Sequence, residues 1–151
     1  MTRYTAGPEF HVFDVSDPTN PSEIGSGACK GFELGDTAES IEVKDQNISG
    51  ATIRFVYLAT DEVDKELRVL NVSTPSSIVS TSIFNALNTS GFGFGRSMAM
   101  SGNSLFLGRT FDSGAPNKEL YVIDSSHPTL NPLPSLLSQK ISDSVNRLFV
   151  K

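Results

Sequence analysis

The sequence predicts an all-β protein whose four-stranded antiparallel meanders form blades along an arc of a β-propeller. One segment recurs three times, with spacings of 57 residues from Phe10 to Leu67 and 53 from Leu67 to Leu120. Turn signals separate short apolar strands, and prolines interrupt the one stretch with leucines near helical spacing. Repeats of this length with four strands each are typical of propeller blades. A β-sandwich is the alternative, but the near-uniform four-strand periodicity argues against it.

The recurring segment, called the repeat segment below, is an apolar strand followed by a polar turn. Its three copies are residues 9–18 (EFHVFDVSDP), 66–75 (ELRVLNVSTP) and 119–128 (ELYVIDSSHP). Glu, Val, Ser and Pro recur at fixed offsets, and an Asp or Asn closes each strand. Because proline lacks a backbone donor and restricts the residue before it, each strand is expected to stop at this turn.

The first copy follows a short leader, residues 1–8, and belongs to a predicted half blade, residues 9–38. Its apolar residues fall on both faces of an extended segment, which predicts a strand covered on both sides. These residues are Phe10, Val12, Phe13 and Val15. A second strand is expected within residues 22–28 before a Gly-rich bend.

Residues 39–95 are predicted to form the first complete blade. An alternating strand over residues 40–44 leads into a turn at 45–50 and a more apolar strand at 51–60. The second repeat segment supplies the third strand, and residues 78–84 supply the fourth. This order of four strands is a meander.

Residues 96–140 repeat the same order and are predicted to form a second blade. The strands are expected at residues 96–100, 104–111, the third repeat segment and 133–138. Residues 141–151 resemble the start of a further blade. All these parts are expected to form one structural unit.

The repeat segments and the turns after them resemble the LVIVD repeat of bacterial and archaeal surface proteins. The resemblance implies a β-propeller, usually extracellular or associated with the cell surface, with no established common catalytic residues. Thr74 and His127 depart from the family pattern, which has an acidic residue before the proline. Localisation at or outside the cell surface of a bacterial or archaeal parent is therefore an expectation.

The number of blades is too low for a closed ring, which typically needs about four to eight. An isolated arc would expose the flat faces of its outer blades. Two explanations are open at this point. Either the chain is a piece of a longer propeller, or copies of it associate and cover those faces.

Charge and composition exclude several function classes. A formal charge of −5 with a pI near 4.9 and no cluster of Lys or Arg disfavours binding to nucleic acid. No apolar run approaches the roughly 20 residues that a membrane span needs, so membrane insertion by this segment is not expected. Cys29 is the only cysteine, which excludes an intrachain disulfide.

The recurring turn residues are predicted to be structural. An Asp or Asn at a strand end commonly bonds the backbone two residues on, whereas a ring of metal or ligand groups is the less favoured alternative. The residues concerned are Asp14, Asn71 and Asp124 with Pro18, Pro75 and Pro128. His11 and His127 lie at non-equivalent positions, so they do not indicate a triad or zinc site. No catalytic, cofactor-binding or metal-binding residue is predicted, and no cofactor.

The segment GFGFGR at residues 91–96 is the other conspicuous feature. Its alternation of Gly and Phe would place Phe92 and Phe94 on one side of an extended path, with Arg96 close behind. It lacks the Lys and Ser or Thr of a phosphate-binding loop. A plug whose rings fill the core between blades is the favoured interpretation. An interaction loop made by these three residues is the alternative.

The sequence therefore predicts a non-catalytic extracellular or cell-surface scaffold for protein or glycan interaction, or for assembly. Its partners would be a protein, a glycan or other copies of the chain. The alternative from another class is a glycan-processing hydrolase or lyase that uses the funnel of a propeller. That enzyme would need at least two carboxylates or a histidine converging at one place.

Overall fold

A computed structural model describes residues 7–25, 30–62, 64–86, 94–111 and 118–150 of the chain. These residues form ten strands in three antiparallel sheets of two, four and four strands, with no helix in the described ranges. The predicted fold class is confirmed, because the two larger sheets are meanders of consecutive strands. No helix within these ranges could cross a membrane.

The half blade consists of β1 (Val12–Asp14) and β2 (Ser22–Ile24). Beyond them Phe10 and Phe32 form a bridge, in which each backbone N–H donates to the other's carbonyl. The strand expected within residues 22–28 is shorter than predicted, and residues 26–29 lie outside the described part of the chain.

The first blade has strand order β3-β4-β5-β6. Its strands are β3 (Ala38–Ile48), β4 (Ala51–Thr60), β5 (Leu67–Asn71) and β6 (Val79–Phe84).

The turn predicted at residues 45–50 is wrong, because β3 continues to Ile48 and pairs with β4 as far as Ala51. The actual turn is Ser49-Gly50, where both residues have positive φ, 53° and 86°. Such a two-residue turn matches the twist of the flanking strands.

The second blade has the same order, with β7 (Gly95–Ser101), β8 (Ser104–Arg109), β9 (Leu120–Asp124) and β10 (Ser135–Gln139). The fourth strand starts later than the predicted range of 133–138. Leu133 is instead buried between the blades, and its N–H donates to the carbonyl of Ile83 (2.9 Å).

Successive units pack face to face. The larger apolar core joins the first blade to the second and includes Tyr57, Leu67, Leu107 and Ile123. A smaller core joins the half blade to the other side of the first blade, and it includes Phe10, Leu58 and Leu70. Side chains on β4 alternate between the two cores, as a strand covered on both faces requires.

Each unit thus has two faces, named here for the direction of the chain. The forward face packs against the following unit and holds Val12 in the half blade and Val69 in the first blade. The rear face packs against the preceding unit and holds Leu70 in the first blade and Ile123 in the second.

The rear face of the half blade departs from the prediction that its strand is covered on both sides. Phe13 is 53% exposed and Val15 is 65% exposed. The prediction is wrong for these two residues because no described unit precedes the half blade.

Residues 141–150 do not form the strand expected for the start of a further blade. They follow the forward side of the second blade, where Val145 N–H donates to Arg109 O (2.9 Å) and its carbonyl accepts from Ser97 Oγ (2.7 Å). A strand needs a partner ladder on at least one edge. None of the described residues supplies one here.

Candidate functional site

The Asp or Asn that closes each repeat segment makes the same local hydrogen bond in all three copies. Its Oδ1 accepts from the backbone N–H two residues on. The three bonds are Ser16 to Asp14 (2.9 Å), Ser73 to Asn71 (3.0 Å) and Ser126 to Asp124 (2.8 Å). Hydrogen bonds from Ser16 and Ser126 lower the pKa values of Asp14 and Asp124 respectively. These side chains thus bond to the backbone of the turn that follows them.

The proline of each repeat segment lies in a β-turn directly after this bond. The turns are closed by Asn20 N–H to Asp17 O (3.1 Å), Ser77 N–H to Thr74 O (2.7 Å) and Leu130 N–H to His127 O (3.0 Å). Pro18, Pro75 and Pro128 each hold the second position, where the fixed φ of proline is favourable.

The three turns belong to three different units. Within the described residues, no group of three or more His, Cys, Asp and Glu could hold a metal ion.

The GFGFGR segment is only partly within the described residues. Phe92 lies outside them, whereas Phe94 is half-buried and exchanges backbone and side-chain hydrogen bonds with Thr110 (2.9 and 3.0 Å). Arg96 lies on β7, where its Nη1 is 3.2 Å from Glu39 Oε1 of the first blade. Arg96 thus contributes to the contact between blades, and Phe94 is anchored to the end of β8.

A further recurring residue received no role from the sequence, namely the glutamate that opens each repeat segment. Glu9 Oε2 accepts from Leu34 N–H (2.8 Å), Glu66 Oε2 from Ala86 N–H (3.1 Å) and Glu119 Oε2 from Ile141 N–H (2.7 Å). In each unit the carboxylate therefore binds the backbone where the chain leaves that unit. The fixed offset of Glu was a visible signal, but its partner lies 20 to 25 residues away.

Glu66 also links the two blades. Its Oε1 is 3.1 Å from Arg109 Nη2 of the second blade, and both side chains are fully buried. Arg109 donates to the carbonyl of Lys118 (2.8 Å), and its guanidinium lies 5.6 Å from the centre of the Tyr121 ring.

Comparison with known families adds one finding to this geometry. Residues 4–28, which include the first repeat segment and its turn, match the family model for the LVIVD repeat. The chain carries an LVIVD repeat. Repeats of this kind are associated with β-propeller-like structures. The second and third repeat segments share the strand, Asx hydrogen bond and proline turn of the matched LVIVD segment. Searches of curated proteins and of solved structures gave no match.

Outside the matched LVIVD segment, a half-buried polar cluster joins β3 of the first blade to the second blade. Lys44 Nζ donates to Gly102 O (2.9 Å), Asn103 Oδ1 (2.8 Å) and Ser125 Oγ (3.2 Å). Burial lowers the pKa of Lys44. Three acceptors match its three donors, so this lysine serves the contact between blades.

A pair of carboxylates lies where β4 ends beside the start of β3. Asp61 Oδ1 accepts from Thr37 N–H (2.7 Å), and Asp36 is hydrogen-bonded to Asp61. Burial, followed by the hydrogen bond to Asp36, raises the pKa of Asp61 to about 6. Sequence reasoning missed this pair because Asp36 and Asp61 lie in separate turns.

A shallow groove of about 250 Å³ lies beside the turn of the second repeat segment. Two of its lining residues, Arg54 and Asp45, form a bidentate ion pair (2.7 and 2.8 Å), and both side chains are exposed. The other lining residues are Thr52, Val72, Ser73 and Pro75. Charged and hydroxyl groups are therefore presented to solvent in one concave surface.

Proposed function

We propose that the chain is a non-catalytic repeat scaffold that binds protein or glycan, or assembles with copies of itself, at or outside the cell surface. The observation that carries the proposal is how the recurring residues are used. The Asx, Pro and Glu of each repeat segment all make hydrogen bonds or turns inside the framework. Residues that recur for structural reasons leave recognition to the loops and grooves between them.

The proposed location rests on the resemblance of the repeat segments to the LVIVD repeat, which implies a surface-associated protein. A membrane-impermeant amine-reactive biotin reagent provides the test in intact cells of the organism that encodes the chain. Exposed lysines such as Lys30 should be labelled before lysis. Labelling that appears only after lysis would contradict a location at the cell surface.

The groove lined by Arg54 and Asp45 supports recognition of hydroxyl-rich or polar ligands. Its guanidinium and carboxylate offer the donors and acceptors that sugar hydroxyls need. Binding to an immobilised panel of bacterial and archaeal polysaccharides tests this branch of the proposal. Arg54→Ala should weaken binding by about tenfold. Lys140→Ala, which removes a charge elsewhere, is the matched control.

A glycan-processing enzyme is the second candidate, and the Asp36–Asp61 pair is the observation that favours it. Two carboxylates that share a proton can supply an acid and a base. The same polysaccharides, assayed for released reducing ends, separate the two functions. A scaffold binds them without cleavage. Cleavage that is lost in Asp61→Asn would replace the scaffold proposal with the enzyme.

A further inference from the structure

The repeat provides an internal standard for how each face of a unit is covered. Phe13 of the half blade corresponds in sequence to Leu70 of the first blade and Ile123 of the second. Leu70 and Ile123 are fully buried against the preceding unit, whereas Phe13 is 53% exposed. The rear face of the half blade therefore has an apolar residue at a position that is buried in both blades. No unit among the described residues covers this face.

The forward face of the second blade shows the complementary pattern. Leu137 pairs with Val122 on this face, in the position that Ser82 and Val69 hold in the first blade. Ser82 and Val69 are buried by the following blade, but Leu137 is 59% exposed and Val122 is half-buried. Residues 141–150 cover the end of this face near Gly108 without covering Leu137.

A buried carboxylate oxygen on the same side gives a second, independent indication. In the existing contact between blades, Glu66 Oε2 accepts from the backbone where the chain leaves the first blade, and Oε1 pairs with Arg109 of the following blade. The corresponding Glu119 Oε2 accepts from the backbone where the chain leaves the second blade, and this side chain is fully buried. Its Oε1 has no hydrogen-bond partner among the described residues. This oxygen occupies the place where a following unit would bring a donor.

We propose that the forward face of the second blade docks onto the rear face of the half blade of a second copy of this chain. The two uncovered faces carry recurring positions that meet in the contact between the molecule's own blades. A second copy would also bring His11, which stands at the position of Tyr121, the ring beside Arg109 in the existing interface.

The contact joins different surfaces on the two partners, so it is head-to-tail. Head-to-tail contacts close into rings or extend as filaments. A ring of about four to eight blades would take about two or three copies. This inference deepens the assembly branch of the proposed function.

Two single variants and their mixture test the docking. Phe13→Lys blocks the rear face, and Leu137→Lys blocks the forward face. The wild-type chain should associate with rising concentration in light scattering. Each variant alone should remain monomeric over the same concentrations, because its dissociation constant for self-association is raised about tenfold or more. Val79→Lys is the matched control, because Val79 is 54% exposed on β6 of the first blade.

An equimolar mixture of the two variants gives the decisive result. Each mixed pair retains one intact forward face and one intact rear face, so dimers and no larger species should form. Association of Phe13→Lys by itself would show a symmetric contact and overturn the proposal, as would a wild-type chain that stays monomeric. Far-UV circular dichroism confirms that the variants are folded. Because no glycan or partner is present, failure here leaves the ligand-binding branch of the proposed function untouched.

Discussion

His127 is the residue at which the third repeat segment departs most visibly from the others. Its backbone carbonyl closes the β-turn, whereas its side chain is 66% exposed and contacts Ser126 Oγ through Nδ1 (2.8 Å). The corresponding Asp17 accepts from Thr19 N–H with its side chain (3.0 Å). The turn therefore depends on the backbone and the proline, and it tolerates either side chain.

We expect His127→Asp to change the free energy of unfolding by no more than about 0.5 kcal/mol, as is usual for exposed positions. Denaturation in urea measures the effect. Asp124→Ala is the control, since loss of its bond to Ser126 should cost about 1 kcal/mol. A large loss of stability in His127→Asp would show that the imidazole has a structural role.

Asp61 gives the chain a predicted pH dependence. Its pKa is raised by burial to about 6 from the ordinary value of 3.8. Because the protonated form is favoured in the folded state, the stability that this group contributes is fully present below about pH 4. It is lost as the pH rises through about 6.

Asp61→Asn should remove this loss, since an amide stays neutral and still accepts from Thr37. The free energy of unfolding of the variant relative to wild type should therefore increase from about pH 5 to about pH 7.5. Urea denaturation at these two pH values measures the change. Asp64→Asn, an exposed acid in the following turn, is the matched control. An unchanged difference between variant and wild type at both pH values contradicts the assignment.

At the scale of elements, the contact between the two blades combines an apolar core with the buried pair Glu66–Arg109. Removal of one partner leaves an uncompensated buried charge, which typically costs about 3–5 kcal/mol. Arg109→Met should therefore destabilise the chain by about this amount. The double variant Arg109→Met with Glu66→Gln should recover much of the loss in chemical denaturation. No recovery would mean that packing of the arginine, rather than its charge, is what matters.

The segment before β7 carries a prediction of its own. We expect Phe92→Ala to lower the melting temperature, because the favoured interpretation places this ring in the core. Loss of a core phenylalanine typically lowers the free energy of unfolding by about 3 kcal/mol. Thr89→Ala, nearby in the sequence, serves as the control. Unchanged stability together with lost partner binding would favour the interaction-loop alternative for Phe92, Phe94 and Arg96.

Most elements could be predicted from the sequence because strands and turns depend on near neighbours. The hairpin Ser101–Ser104 and the three proline turns lie where the residues indicate. The extent of β3 was missed because residues 45–47 are polar, and they remain in the strand through pairing with β4. The Asp36–Asp61 and Glu66–Arg109 pairs were missed because their partners are distant in sequence.

At the scale of the whole molecule, neither blade buries its apolar faces alone. The larger core takes residues from both blades, and Tyr57 and Tyr121 lie in it from opposite sides. We therefore expect a single cooperative unfolding transition. Far-UV circular dichroism and tyrosine fluorescence should give coincident curves, whereas separate transitions would show that the blades fold independently.

The sequence by itself determined the repeat, its strands and its turns, because each depends on groups within a few residues of one another. Asp14, Asn71 and Asp124 each make the same local hydrogen bond, to the backbone N–H two residues on. Only the tertiary structure decided which copies of the repeat are covered. Phe13 and Leu70 occupy one position of the repeat, yet one is exposed and the other buried. Burial depends on whether a neighbouring unit is present, and the segment's own residues do not encode that neighbour.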